Sequence, residues 1–144
     1  MKNGKLYFSY SEEETQKIAA GLALELKSPS IVALHGNLGD GKTVFARGFA
    51  RGLGINDIIC SPTFNIIREY PFRDDSILYH MDLYRIADSE TAMTFGIEEY
   101  LNNANAISLI EWPERISDIL PANTIIVELL RVNDSQREIT ITFP

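Results

Sequence analysis

The chain has 144 residues, 45% of them hydrophobic and 23% charged, with 13 basic and 20 acidic side chains giving a net charge of −7. That is enough chain for one domain, residues 1–144, burying roughly two thirds of its unfolded surface. No apolar run approaches the ~18 residues of a membrane span. The acidic balance and the lack of a Lys/Arg cluster argue against autonomous RNA or DNA binding, which needs a basic face to displace phosphate counterions. An acidic surface suits docking on a more basic protein.

The start, Met1-Lys2-Asn3-Gly4-Lys5, is too polar to begin a signal peptide. Leu6 to Tyr10 alternates weakly, as an edge strand does. Ser11-Glu12-Glu13-Glu14 is an S-x-x-E capping box. Ile18, Leu22 and Leu26, with Ala19 and Ala23, follow at helical spacing as one apolar stripe, and Pro29 helps to stop the helix. Ile31-Val32-Ala33-Leu34 is a buried strand running straight into Gly36-Asn37-Leu38-Gly39-Asp40-Gly41-Lys42-Thr43, a complete G-x-x-x-x-G-K-[ST] phosphate loop. A helix is expected from Lys42 to Leu53, closed by Gly54.

Strand, loop and helix in that order give the motif its meaning. Gly36, Gly39 and Gly41 allow positive φ and close approach of backbone N–H groups to phosphate oxygens. The positive end of the following helix adds to their attraction. Lys42 suits the β/γ oxygens, and the Thr43 hydroxyl suits Mg²⁺. The bland alternative is a glycine-rich turn, which the complete pattern in this context disfavours.

Downstream, the lone Cys60 permits no internal disulfide, fits a reducing cytosol, and reads as a small apolar residue. Ser61-Pro62-Thr63-Phe64 opens an extended segment to Tyr70. Thr63 is either a switch threonine for the γ-phosphate and its metal or part of a proline turn. Arg73 to Ser76 forms a turn, and Ile77 to Leu83 is the partner strand. On it His80 and Asp82 share a face with Leu78. Two ionisable groups there mark either a site edge or a strand end emerging into solvent. Ser89 to Asn102 reads as helix. Ala106 to Ile110 is a buried strand ending in Glu111, which is either a Walker B acid for Mg²⁺ or an exposed terminal glutamate. Thr124 to Leu130 and Arg137 to Phe143 close the chain as a hairpin around Asn133-Asp134. Alternating β and α elements with late hairpins predict an α/β, three-layer P-loop NTPase-like domain with a mixed central sheet.

The ordered set G-N-L-G-D-G-K-T, Arg47-Gly48, Gly52-Leu53-Gly54, S-P-T-F, H-M-D-L-Y-R, F-G-I-E-E-Y and I-E-W resembles the TsaE (YjeE-type) ATPases. The resemblance covers about Ser11 to Pro121. It implies a cytoplasmic ATPase of bacterial tRNA N6-threonylcarbamoyladenosine (t6A) synthesis that joins a Gcp-like (TsaD-type) subunit and its dimerising, TsaB-type partner. tRNA is then met only through the complex. By position, it implies that Lys42 contacts phosphates, that Thr43 and Glu111 hold Mg²⁺, that Thr63 switches, and that Asp82 sits near the γ-phosphate or its attacking water. Trp112 packs against the nucleotide region or the partner, and Glu12 and Thr15 lie near the base. The loop residues from Gly36 to Val44 complete the ATP site.

Two positions depart from the family pattern, which usually has a small residue at Asp40 and often a second hydroxyl at Val44. A carboxylate ~4 Å from a phosphate charge costs about 4 kcal/mol at an effective dielectric of 20. Asp40 is therefore expected to point to solvent while its N–H faces the phosphate. Two other functions fit a phosphate loop, a small-molecule kinase and a nucleotide-gated binding module. The missing Arg-rich lid disfavours the kinase. Lack of turnover with the partner present would mark the module. No guanine-reading Asn-Lys-x-Asp motif occurs, which favours ATP over GTP.

Overall fold

The computed structural model describes residues 3–37, 39–57, 59 and 66–144. Its elements are β1 (Asn3–Ser9), α1 (Glu12–Glu25), β2 (Ser30–His35), α2 (Lys42–Gly52), β3 (Ile67–Phe72), β4 (Ser76–Asp82), α3 (Ser89–Thr94), α4 (Ile97–Leu101), β5 (Ala106–Glu111), a 3₁₀ turn (Pro113–Ile116), β6 (Ile125–Arg131) and β7 (Arg137–Phe143). One seven-stranded sheet runs in the order β1-β7-β6-β2-β5-β4-β3. β6, β2, β5 and β4 are mutually parallel. The flanking pairs, β6–β7, β7–β1 and β4–β3, are antiparallel. The expected mixed sheet is therefore present, with β1 at one edge.

Side-chain alternation along the strands divides the core into two. Val32, Leu34, Leu78, Ile107, Leu109 and Val127 pack under α1 and α2. Ile31, Met81 and Ile110 point the other way, onto α3, α4 and the 3₁₀ turn. Phe45 and Phe49 of α2 are fully buried, and each such burial contributes about 1.5–3 kcal/mol. α2 also lies unusually close to α1. A Cβ on Gly48 would fall 2.4 Å from Gln16 Cα, and one on Gly52 would fall 2.7 Å from the Ala20 carbonyl.

The capping box forms with a shift. Ser11 Oγ accepts the Glu14 N–H at 3.1 Å, but the Glu14 carboxylate reaches past Ser11 to the Tyr10 N–H, at 3.2 Å. The stripe behind it is deepest at Ala19, Leu22 and Ala23, while Ile18 and Leu26 are only partly buried. The helix expected over Ser89 to Asn102 is two helices. Gly96 takes φ 77°, in the left-handed region that glycine tolerates, and turns the chain between α3 and α4. Asp88 caps α3, accepting the Thr91 N–H at 2.8 Å.

Candidate nucleotide-binding site

Three parallel strands end beside one another. β2 runs into the phosphate loop, β5 ends at Glu111, and β4 ends at Asp82. Glu111 is in register with Leu34 on one side and Asp82 on the other. This is the carboxyl edge of a parallel sheet, where open α/β folds place their ligands. A cleft of about 1000 Å³ opens there, lined by Asn37, Gly39, Gly41, Lys42, Thr43, Val44, Asp82, Glu111 and Trp112, with Glu12 from α1.

The loop's backbone shape follows from its glycines. Gly39 and Gly41 adopt φ 84° and 98°, which only glycine takes without strain. Gly36, by contrast, does not take the positive φ expected of it, and a Cβ there would meet the Leu129 side chain and Lys42 Cγ at 3.4 Å, the edge of ordinary contact. α2 starts with no side-chain cap on Gly41, and its first internal bond is Phe45 N–H to Gly41 carbonyl at 2.9 Å. The N–H groups of Lys42, Thr43 and Val44 therefore precede the helical ladder at the positive end of the helix.

Lys42 is 7% exposed, and its Nζ has no hydrogen-bond partner among the described residues. It sits 3.8 Å above the Trp112 ring centroid. Burial pushes the ammonium below its ordinary range, while Glu111 and Asp82 pull it back up. Burial raises the Asp82 carboxyl, opposed by the Tyr84 N–H that its Oδ1 accepts at 3.0 Å. Glu111 is buried, and its Oε2 lies 2.6 Å from His80 Nε2. His80 is thus neither solvent-exposed nor at the rim of the cleft, but holds the strand-end acid from beneath. Trp112 adopts φ 58° and ψ 48°. That conformation is costly for a bulky side chain, and it lays the ring against Lys42 and, at 5.0 Å, Tyr84.

Two expectations are corrected. Asp40 does not point to solvent. It is 7% exposed and turns back into the loop, its Oδ2 accepting the Asn37 N–H at 2.7 Å. Its own N–H is bonded to the Asn37 carbonyl at 3.1 Å rather than offered to the cleft. A four-residue loop lets this short side chain bond locally, as Asp does in Asx-type turns. Thr15 is also not in the cleft lining. It is buried, 2.7 Å from Ser9 Oγ, where it joins the start of α1 to β1. Leu38, Cys60 and Thr63 lie outside the described residues.

Among the other cleft residues, Tyr84 and Arg85 belong to H-M-D-L-Y-R and Phe95 and Tyr100 to F-G-I-E-E-Y, whereas Ile66, Ile67, Ile86 and Arg137 carry no local sequence signal. Ile66, Ile67, Ile86, Phe95 and Tyr100 form an apolar extension beyond Asp82, and Tyr84, Arg85 and Arg137 reach the same space. Arg137 comes from β7, far along the chain, and donates to two loop carbonyls. Among the described residues no group of three or more His, Cys, Asp or Glu could hold a metal unaided.

The sequence model of the family described as "Threonylcarbamoyl adenosine biosynthesis protein TsaE" matches residues 9–139. A relative from Bacillus subtilis, the tRNA threonylcarbamoyladenosine biosynthesis protein TsaE, is 42% identical over 132 residues, covering 90% of this chain and 80% of its own. The protein of the same name from Treponema pallidum is 38% identical over 133 residues, covering 92% and 96%. Among solved structures, the crystal structure of Bacillus subtilis YdiB superposes with a TM-score of 0.83 at 36% identity, covering 99% of this chain and 87% of that one.

Proposed function

Since the chain belongs to the TsaE family, we propose that it is a cytoplasmic, Mg²⁺-dependent ATPase serving tRNA t6A biosynthesis. One observation carries the nucleotide half of this reading. The ammonium of Lys42 is buried at the mouth of a helix with no side-chain cap and, among the described residues, has no hydrogen-bond partner. Burying a cation without a hydrogen-bond partner is unfavourable, and the phosphates of ATP supply that partner.

Roles follow from position. Lys42 neutralises the β/γ oxygens, with the N–H groups that open α2 around the β-phosphate. Thr43 and Glu111 are the Mg²⁺ ligands, hard oxygens of the kind that ion takes. The carboxylate oxygen of Glu111 that His80 does not hold remains for this use. Bound there, Mg²⁺ would neutralise charge on the phosphates. Asp82, at the next strand end, orients the water that attacks. Trp112 braces Lys42, and Glu12 sits toward the base. Thr15 acts one step removed, by fixing the first turn of α1. Thr63 keeps its proposed switch role from the sequence pattern.

The partners proposed are the Gcp-like, TsaD-type subunit and its TsaB-type companion, with tRNA reached through them. The net charge of −7 favours a protein dock over direct RNA contact. The apolar extension past Asp82 favours one alternative, a kinase with an acceptor lying over Phe95 and Tyr100. Pull-down with the two subunits, followed by tRNA nucleoside analysis in depleted cells, tests the main reading. Unchanged t6A on depletion would overturn it. Phosphate appearing on an added metabolite instead of in water would favour the kinase.

A further inference from the structure

Arg137 opens β7 and lies 97 positions beyond Asp40, yet its Nε donates to the Asp40 carbonyl at 3.2 Å. Its Nη2 donates to the Gly39 carbonyl at 3.3 Å. The remaining arm, Nη1, is tied to the hairpin itself, at 2.7 Å to the Asn133 carbonyl and 3.2 Å to that of Gln136. All these acceptors are neutral, and among the described residues no carboxylate pairs with the guanidinium. A cation fixed in one place by four carbonyls thus stands on the wall of the cleft.

We propose that Arg137 is a positioning residue for the phosphate loop, setting the direction in which the Gly41 N–H is presented to a phosphate. The inference rests on the ATP-binding reading above and deepens it. A trans peptide is planar, with its carbonyl and the following N–H opposed. Holding the Asp40 carbonyl therefore turns the Gly41 N–H away from Arg137. Gly39 and Gly41 make this hold necessary, because glycine rotates freely between mirror-related conformations. A flipped peptide would aim a carbonyl oxygen, not a donor, at the ligand. Asp40 secures the other end of the loop through its two bonds with Asn37. Only the planar fork of arginine reaches two successive carbonyls while a third nitrogen stays anchored, and its charge also favours an anion nearby.

The test uses the full chain with Arg137→Ala, Arg137→Lys and Arg137→Gln, beside Lys42→Ala as a control. In nucleotide-free protein, Arg137→Ala should shift or broaden the amide resonances of Gly39 and Gly41 while the thermal midpoint and distant amides stay near wild type. Calorimetry should show MgATP and MgADP both weakened about tenfold or more. Lysine should restore part of the affinity, and glutamine less. The proposal is overturned if both glycine amides are unmoved, or if affinity stays within about twofold of wild type while Lys42→Ala weakens it as the control should. It is also overturned if affinity falls only in step with global melting. A wild-type chain that binds no ATP would sink the reading beneath it, while the glycine amides alone would still decide whether Arg137 orders the loop.

Discussion

His80 Nε2 and Glu111 Oε2 lie 2.6 Å apart, both side chains buried, on neighbouring strands of the parallel sheet. A contact this short places a proton between the two atoms. The other ring nitrogen, Nδ1, is buried and has no hydrogen-bond partner among the described residues. The fold tolerates that cost beside the acid proposed to hold Mg²⁺, fixing one of its oxygens at a residue that lines the cleft.

Replacing His80 with Ala should leave the Glu111 carboxylate buried without its donor, which costs about 1–3 kcal/mol. Urea unfolding measures that loss. A Mg²⁺ titration of ATP binding, done on the same variant, should show a higher metal requirement. Wild-type values in both would make the contact incidental.

Lys42→Ala should weaken MgATP binding by roughly 10- to 100-fold, the worth of one or two charge-assisted hydrogen bonds. The protein should remain folded, since an ammonium buried with no hydrogen-bond partner among the described residues is a burden on the nucleotide-free state. Calorimetric titration with ATP and Mg²⁺ decides the first point and circular dichroism the second. Unchanged affinity would remove the phosphate-loop reading.

The parts of this site that are short-range in the chain were legible from the sequence. The loop glycines, the apolar strands before Glu111 and Asp82, and the capping serine of α1 each act through neighbours a few residues away. The mixed sheet followed from the same patterns. What was not legible depends on contacts across the fold. Nothing near Arg137 in sequence marks its carbonyl partners at Gly39 and Asp40, and His80 meets Glu111 only because β4 and β5 are adjacent. Asp40 was misjudged for a different reason. A charge argument placed it in solvent, but a local bond to the Asn37 N–H satisfies it inside the loop. The Ser89 to Asn102 helix failed on Gly96, where backbone freedom overrode helical composition.

The α1–α2 packing makes opposite predictions for two glycines. Gly48→Ala would drive a Cβ to within 2.4 Å of Gln16 backbone, an overpacking cost of about 1–3 kcal/mol or more. Gly21→Ala meets nothing within 4 Å on an exposed helical face. It should stabilise by about 0.5–1 kcal/mol through helix propensity. Thermal melts of both variants test the pair, and equal effects would contradict the close approach of the helices.

Asp88 caps α3, and the bonds it accepts from the Thr91 N–H and hydroxyl hold its carboxyl below the usual value of 3.8. A depressed acid contributes stability above its unfolded pKa and loses it as pH falls through the folded one. Slowed hydrogen exchange at the Thr91 amide should therefore persist at pH 5 and fade below pH 3.8. Asp88→Ala should abolish both the protection and its pH dependence. Protection that is flat across this range would mean the cap contributes nothing.

The last prediction concerns turnover. Isolated protein should hydrolyse ATP slowly, and the Gcp-like heterodimer should accelerate it. Of the described residues that line the cleft of about 1000 Å³, Tyr84 and Phe95 are both about half exposed. Phosphoryl transfer depends on charge stabilisation in a site that excludes bulk water, and a group supplied in trans is worth ~10³–10⁵ in rate. A partner covering those two side chains would supply both. Phosphate release is followed with and without the heterodimer at fixed nucleotide and salt, using Glu111→Gln to confirm that the same site is responsible. The accessory-ATPase reading requires stimulation that Glu111→Gln abolishes. Fast turnover by the chain alone, indifferent to the heterodimer, would refute it, and tight ATP binding without turnover in either state would instead identify a nucleotide-gated binding module.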